Sequence, residues 1–305
     1  MVVDADATVD SPTVLTREIF GNVPAPAQTV FYALAVAAIL CFCWGIYRRM
    51  RLWRIGVPAE QRSWKGLGRR LFNNVLLQGR MITRPRVTVA HRLLFFGFLV
   101  LFIGTVLISV EHWLADALGR PPTEPVFHKG AYFAVYEVVL DAFGIALLVG
   151  CVQLMRRRWR TKASIGRTPA DWIVLWAFFL TGLTGYLLEG LRILDAQTPL
   201  PMLSFVGYSV AILLEIVGVT PERAGAGHYA CWWLHAILSL GFIAAFPYTR
   251  LFHSIAGTIT LAQPRQPLGT LPLVTLEELE ATGRVGVGQI EHFTRSQLIE
   301  LDACV

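Results

Sequence analysis

Four of the seven histidines have a spacing that suits the ligation of haem iron. His91 and His112 are 21 residues apart, so on one helix both imidazoles leave nearly the same face, about 31 Å apart in height. His235 and His253 are 18 residues apart, which corresponds to five helical turns and about 27 Å. Two antiparallel helices would pair His91 with His253 and His112 with His235. Each pair then offers two neutral imidazoles to opposite sides of a porphyrin, which predicts two b-type haems.

Other uses of these histidines stay open. Inside a membrane an imidazole also serves as a packing residue that hydrogen-bonds a neighbouring helix, and a non-redox anchor or transporter would use its histidines in this way. His228 is a rival of His235, because it lies seven residues earlier on nearly the same helix face. A third possibility keeps one haem only, held by His91 and His253. The two remaining histidines, in a loop and in the tail, are not expected to bind haem: His128 and His292.

The composition of the chain indicates that membrane helices carry these histidines. The 305 residues are 54% hydrophobic and 16% charged, with a mean hydropathy of +0.53, which excludes a water-soluble enzyme domain. A sixth apolar run, 199–219, contains Pro199, Pro201 and Glu215, which favour an outer interfacial or re-entrant segment. The sequence therefore predicts an all-α membrane protein with a five-span helical bundle. Its five spans are 28–47, 91–112, 131–155, 171–191 and 228–250.

The basic residues predict the orientation of this bundle. Of the 27 Lys and Arg side chains, 18 fall in two stretches, 48–92 and 156–167, which flank apolar segments. Loops rich in Lys and Arg stay on the cytoplasmic side, so a multi-pass inner (plasma) membrane protein is expected, with its N-terminus outside and its C-terminus in the cytoplasm. The net charge of +6 thus reflects topology and contact with the lipid bilayer, and nucleic acid is not an expected partner.

This orientation decides which histidine pair lies nearer the cytoplasm. His91 and His253, the inner pair, lie toward the cytoplasm, and His112 and His235, the outer pair, lie toward the opposite surface. By composition the chain has three parts, namely a polar N-terminal segment, the transmembrane di-haem domain and a cytoplasmic tail rich in proline and then in acidic residues. Their bounds are 1–27, 28–260 and 261–305.

The stretch 233–255, "WLHAILSLGFIAAFPYTRLFHSI", closely resembles the final helix of the respiratory nitrate reductase gamma subunit. In that family two histidines separated by seventeen residues bind two different b haems, around a Phe-Pro-aromatic-Ser/Thr-Arg/Lys-Leu motif. The resemblance implies that His235 and His253 are haem ligands. The second helix departs from the family pattern, because its two ligands there are ten residues apart, whereas here the second histidine comes only at His112.

A second resemblance covers nearly the whole chain. It is to the membrane cytochrome b region of heterodisulfide-reductase-related iron–sulfur oxidoreductases, among them electron-transfer-flavoprotein:menaquinone oxidoreductases. It implies two b haems, electron exchange with menaquinone or another quinone, and an iron–sulfur partner served by electron transfer flavoprotein. Flavoprotein-linked members would pass electrons to menaquinone, whereas nitrate-reductase-like members run the opposite way. The landmarks are "HRLLFFGFLVLFIGTVLISVEH" (91–112), "TGYLLEGLRI" (184–193), "SFVGYSVA" (204–211) and "HYACWWLHAILSL" (228–240).

The tail carries the same resemblance. A segment like "VGVGQIEHFTRSQLIELDAC" (285–304) leads into a ferredoxin-like domain in those oxidoreductases, and Cys304 would be its first cluster ligand if the chain continues. A complete cluster run has the form C-x2-C-x2-C-x3-C-P, so no iron–sulfur cluster is expected within this chain alone. The tail is expected to lead toward an iron–sulfur module, and no catalytic site for a soluble substrate is expected in this chain.

Residues beside the histidines are candidates for holding haem. Arg92 and Arg250 adjoin the inner pair and are suited to pair with haem propionates. Gly97 and Gly104 on the second helix, with Gly241 on the last, are expected to leave room near the haems because they lack side-chain bulk.

A quinone needs an apolar cleft beside one haem and a polar group for its carbonyls. Lys129, Tyr132 and Tyr136, at the outer start of the third helix, are the candidates, since a lysine at the start of the equivalent helix is associated with quinol in the nitrate reductase gamma subunit. Lys and Tyr also anchor helix ends at membrane interfaces, which is the alternative. Rival proton-transfer groups lie near the outer end of the fourth helix: Glu189 and Asp195.

Overall fold

The computed structural model of the chain describes residues 15–58, 65–79, 85–121, 124–160, 169–196, 198, 200–264, 275–283 and 285–304. Within these ranges the polypeptide is helical and forms no β-strand. Parts of the predicted segments lie outside the described residues: 1–14, 59–64, 80–84, 161–168 and 265–274. The α-helices are α1 Ala25–Trp53, α2 Leu67–Arg70, α3 Pro85–Ala117, α4 Gly130–Arg160, α5 Pro169–Ala196, α6 Phe205–Ile216, α7 Pro221–Ala245, α8 His253–Ala262, α9 Leu276–Thr282 and α10 Arg295–Ala303.

Five of these helices, α1, α3, α4, α5 and α7, are long and apolar enough to cross a membrane. They contain 25 to 33 residues, which at about 1.5 Å per residue exceeds the thickness of a hydrocarbon core of about 30 Å. Many of their large apolar side chains are exposed, as lipid contact requires. The prediction of an all-α membrane protein with five spans is confirmed.

The sixth apolar run forms a helix that is too short to span. A 3-10 turn at Pro201–Leu203 precedes α6, whose 12 residues reach only about 18 Å. The α-helix begins only after Ser204, whose backbone is not helical, with φ −97° and ψ 69°. The exclusion of this run from the spans is confirmed.

The last long helix ends earlier than predicted. α7 stops at Ala245, and two 3-10 turns follow at Phe246–Tyr248 and Arg250–Phe252. Thr249 between them is extended, with φ −111° and ψ 176°. Pro247 causes the interruption, because it lacks an amide hydrogen and its ring clashes with the carbonyl four residues earlier.

This interruption corrects the expected geometry of two haem ligands. His235 lies on α7, whereas His253 begins the separate helix α8. The five-turn relation between these two imidazoles, and the height difference derived from it, are therefore wrong. His91 and His112 do share one uninterrupted helix, α3, as predicted.

The chain forms two compact units, and the first comprises 1–31, 89–162 and 175–238. In this unit α3 and α4 approach closely at glycines. A Cβ on Gly97 would lie 2.6 Å from the backbone nitrogen of Leu147, and one on Gly150 would lie 2.6 Å from that of Leu94. A Cβ on Gly104 would meet an α4 side chain as well. The expectation that Gly97 and Gly104 leave room for haem is wrong, because α4 fills that space.

The second unit comprises 32–88, 163–174 and 239–305. Its C-terminal helix α10 packs against α8, and Arg70 caps the end of α8 by donating from Nε to the carbonyl of Ala262 at 2.6 Å. A Cβ on Gly241 would meet no atom within 4 Å, so here the expected free space exists. The helix that begins with His253 is thus held at its end and along its side.

Candidate functional site

His235 is held by a threonine of the neighbouring helix. Its Nδ1 lies 3.0 Å from the Thr184 hydroxyl oxygen, and that oxygen lies 2.8 Å from the carbonyl of Leu180. A hydroxyl has one hydrogen, which it donates to the carbonyl, so its oxygen is left to accept from Nδ1–H. This arrangement favours the tautomer in which Nε2 of His235 carries the lone pair that a metal would use.

Thr184→Val is therefore expected to weaken haem binding at His235 by about tenfold, the usual cost of removing a hydrogen-bond partner of a metal-ligating histidine. Haem titration of the haem-depleted membrane protein measures this. Thr181→Val is the matched control, because the Thr181 hydroxyl is buried on the same helix without a hydrogen-bond partner in the described residues. Equal haem affinity of the Thr184→Val protein and its control would contradict the hypothesis that Thr184 orients a haem-ligating His235.

His253 shows the same arrangement with a backbone partner. Its Nδ1 lies 2.5 Å from the carbonyl oxygen of Arg250, which only accepts hydrogen bonds, so Nδ1 carries the proton. In this tautomer Nε2 is the ring nitrogen that carries the lone pair. The Arg250 side chain is paired through Nε with the buried carboxylate of Asp171 at 3.1 Å. Arg250 is therefore held by a carboxylate of the protein in the place where a haem propionate was expected.

The α3 histidines lie in aromatic surroundings. His112 is half-buried and meets the ring edge of Phe20, with centroids 4.9 Å apart. His91 stacks on Phe95 at 6.3 Å, and Arg92 beside it is half-buried. The rival His228 is buried on α7, and its Nδ1 has no hydrogen-bond partner in the described residues, in contrast to His235.

A cavity of about 420 Å³ lies in the first unit, beside His112. It is enclosed by the N-terminal segment 17–28, the last turns of α3 and residues of the loop 121–128. Its wall includes Arg17, Phe20, Glu111, His112 and His128. The volume falls in the range of small-molecule sites, roughly 300 to 1,000 Å³.

His128 is the unusual group of this wall. Its ring is 1% exposed, and neither ring nitrogen has a hydrogen-bond partner in the described residues. Burial, and secondarily the Arg17 guanidinium, lower the pKa of His128 to about 4. The neutral imidazole's contribution to stability is thus intact above pH 6.5 and is lost as the pH falls toward 4. At neutral pH the ring offers one N–H donor and one acceptor.

A buried carboxylate holds His128 in place. Both oxygens of Glu111 accept backbone N–H groups, those of Val126 at 2.5 Å, Phe127 at 2.9 Å and His128 at 3.1 Å. Thr16 donates its hydroxyl to the carbonyl of His128 at 2.7 Å. The loop is therefore fixed from both sides, which orients the imidazole before any ligand binds.

The predicted quinone residues are placed differently from one another. Tyr136 is buried and donates its hydroxyl to the carbonyl of Gly104 at 2.9 Å, whereas Tyr132 and Lys129 are exposed. None of these three side chains lines the cavity. The cavity is lined instead by His128, the residue directly before Lys129.

A buried ion-pair cluster adjoins the cavity through Arg17. The Arg17 guanidinium lies 3.3 Å from Glu137 and 3.5 Å from Glu189, and Arg192 lies 2.5 Å from Glu189. Glu189 is thus an ion-pair partner of both arginines. Its role in proton transfer stays a prediction. Asp195 lies near Gly225, and a Cβ added to that glycine would come within 2.8 Å of the Asp195 carboxylate. Sequence reasoning missed Arg17, which lies in a segment of mixed polar residues.

Cys304, the predicted cluster ligand of a longer chain, is exposed at the C-terminal end of α10. Its role stays a prediction.

Comparison with known proteins gives one family and several relatives. The model of a family described as nitrate reductase gamma subunit matches residues 78–267. The EtfAB:quinone oxidoreductase of Syntrophomonas wolfei is 26% identical over 296 residues, covering 92% of this chain and 39% of that protein. The probable iron–sulfur-binding oxidoreductase FadF of Bacillus subtilis is 24% identical over 282 residues, covering 90% and 38%.

A shorter relative is similar over part of the chain. It is one of the subunits of the dihydromethanophenazine:CoB–CoM heterodisulfide reductase of Methanosarcina thermophila, and it is 26% identical over 195 residues, covering 63% of this chain and 64% of that polypeptide. The chain thus spans less than two thirds of each of these relatives. No solved structure matches.

The matched region contains all four predicted haem ligands, from α3 to α8. It covers well over half of the chain, and the relatives are oxidoreductases or their subunits. Both predicted resemblances are confirmed. The chain is a multi-pass membrane protein of electron transfer, and it belongs to the nitrate reductase gamma subunit family.

Proposed function

We propose that this chain is the membrane cytochrome b part of an oxidoreductase, which passes electrons between a cytoplasmic iron–sulfur or flavoprotein partner and the quinone pool. The observation that carries the proposal is the position of His235 and His253, the Nδ1 of each of which lies within hydrogen-bond distance of an oxygen of the protein. Bis-imidazole haem ligation requires such imidazoles.

The residues fit two b haems. His91 and His253 would hold the inner one, and His112 and His235 the outer one, with Arg92 near the inner propionates. A bound b haem supplies a one-electron iron couple. The protein's part is to fix the imidazole tautomers through Thr184 and the carbonyl of Arg250, and to keep water out with apolar helices.

The cavity beside His112 is suited to the quinone head group. A quinone carbonyl needs a hydrogen-bond donor, and the neutral imidazole of His128 is a buried group without a partner in the described part of the cavity wall. Lys129, Tyr132 and Tyr136, the quinone candidates of the sequence, follow His128 in the chain but do not line this cavity. Menaquinone is the quinone that the sequence resemblance implies, and the name of one relative, EtfAB:quinone oxidoreductase, supports a quinone.

The partners follow from the same resemblance. We expect the tail, 261–305, to lead to an iron–sulfur module that receives electrons from electron transfer flavoprotein, with Cys304 as a cluster ligand only in a chain that continues. The domain division into 1–27, 28–260 and 261–305, the inner-membrane location and a cytoplasmic C-terminus belong to this proposal.

Haem reoxidation by quinone tests the function. The detergent-purified protein is reduced with a stoichiometric amount of dithionite and mixed with a soluble menaquinone analogue, while the reduced haem band is followed by stopped flow. The proposal predicts rapid loss of the band, or reduction of the oxidised protein by the matching quinol. A haem that reacts with neither form would refute the link to quinone.

A further inference from the structure

One carboxylate of the C-terminal helix binds two side chains of the last turns of α1. Asp302 accepts from Arg49 Nη1 at 2.9 Å through one oxygen and from Trp53 Nε1 at 2.7 Å through the other. Arg49 and Trp53 are four residues apart and share one face of α1. Both acceptor oxygens of Asp302 are therefore used to bind one surface.

The same two side chains cover the residue that precedes His253. The Arg49 guanidinium lies 5.2 Å from the ring centroid of Phe252, and the Trp53 ring lies 5.8 Å from it. Phe252 is 2% exposed, so its ring is enclosed and follows any movement of the groups that pack on it. His253 follows directly and begins α8.

The C-terminal helix is docked in a fixed position. Val57 donates its amide to the carbonyl of Phe293 at 2.9 Å and accepts from the amide of Arg295 at 3.0 Å. A Cβ on Gly56 would lie 2.6 Å from the same Phe293 carbonyl oxygen, which shows how closely the two segments approach. A capping box of Thr294 and Gln297 starts α10. The contact of Asp302 lies at the opposite end of this helix and completes the docking.

We propose that Asp302 is a positioning residue for His253. By holding Arg49 and Trp53 against Phe252, it sets the orientation of the imidazole that follows, so the docked C-terminal helix bears on the inner haem ligand. The proposal rests on the proposed function in one respect, that His253 is a haem ligand.

Hydrogen exchange of the membrane protein tests this coupling without requiring haem. Asp302→Asn removes the charge that both donors share, and we expect about tenfold faster exchange in the backbone amides of 293–304 and also in those of 249–256. Trp53→Phe keeps an aromatic ring at this position and removes one donor, so a smaller increase in both segments is expected. Glu300→Gln is the matched control, since Glu300 is an exposed acid of the same helix and should change neither segment.

The exchange rates of the two segments, 293–304 and 249–256, decide between coupling and simple anchoring. Faster exchange confined to 293–304, with 249–256 as in the unsubstituted protein, would show that Asp302 merely anchors the tail and would overturn the proposal. In haem-loaded protein, Asp302→Asn should also shift the low-spin electron paramagnetic resonance signal that His253→Ala removes, and an unshifted signal would count against it. Absence of haem from the unsubstituted protein would refute the proposed function, while the exchange comparison would still decide this one.

Discussion

Replacement of His253 by alanine is expected to lower the haem b content from about two per chain to about one. The lost imidazole is the one whose Nδ1 lies 2.5 Å from the carbonyl of Arg250. The preceding turn, Arg250–Phe252, contains no other histidine that could replace it. The measurement is the pyridine haemochromogen assay, expressed per polypeptide, on detergent-purified protein. The remaining haem should keep its spectrum, because it is held by the outer pair.

His292→Ala is the control for this loss. The Nδ1 of His292 accepts the amides of Gly288 and Gln289 within the tail, so its removal should leave the haem content unchanged. The same assay separates the rivals for the outer haem, since His235→Ala should lose a haem and His228→Ala should retain both. Full haem content in the His253→Ala protein would contradict the proposed ligation.

Replacement of His128 by leucine is expected to slow the reaction of the haems with quinone by more than about tenfold while the haem content stays unchanged. The substitution removes the buried hydrogen-bonding ring of the cavity wall and leaves the loop held by Glu111. Stopped-flow reoxidation by a menaquinone analogue gives the rate. Since the pKa of His128 is near 4, the rate in unsubstituted protein should show no titration of this imidazole between pH 6 and 8.

Lys129→Gln is the variant to compare with His128→Leu, because the sequence resemblance favours Lys129, the next residue, as the quinone contact. Its side chain is exposed and does not line the cavity, so a small effect on the rate is expected. A slow Lys129→Gln protein together with a normal His128→Leu protein would transfer the quinone site from the cavity to the helix end.

The spanning helices were predictable because hydropathy and length decide them. Segments of about 20 apolar residues admit few alternatives in a bilayer, where every backbone polar group needs an internal partner. The break after Ala245 was harder to foresee, since the residues around Pro247 are as apolar as a continuous helix requires. Membrane helices often tolerate proline, so its effect depends on tertiary contacts such as the close approach of Gly45 to Pro247.

The candidate site was predictable in part. Histidine spacing pointed to His235 and His253, yet the partners that fix their tautomers are a threonine and a backbone carbonyl, neither of which has a sequence signature. The sequence places His128 in a loop and carries no sign of its burial, which depends on Glu111, 17 residues earlier in the chain. Gly97 was assigned to a haem pocket, whereas close helix packing explains it.

The haem content of the unsubstituted protein is the measurement to make first. A dithionite-reduced minus oxidised optical spectrum of the purified chain, with haem b quantified per polypeptide, should show about two b haems. About one haem would contradict the four-histidine scheme and leave a single site. A well-folded preparation without any haem would contradict the proposed function and favour a membrane protein whose histidines serve packing alone.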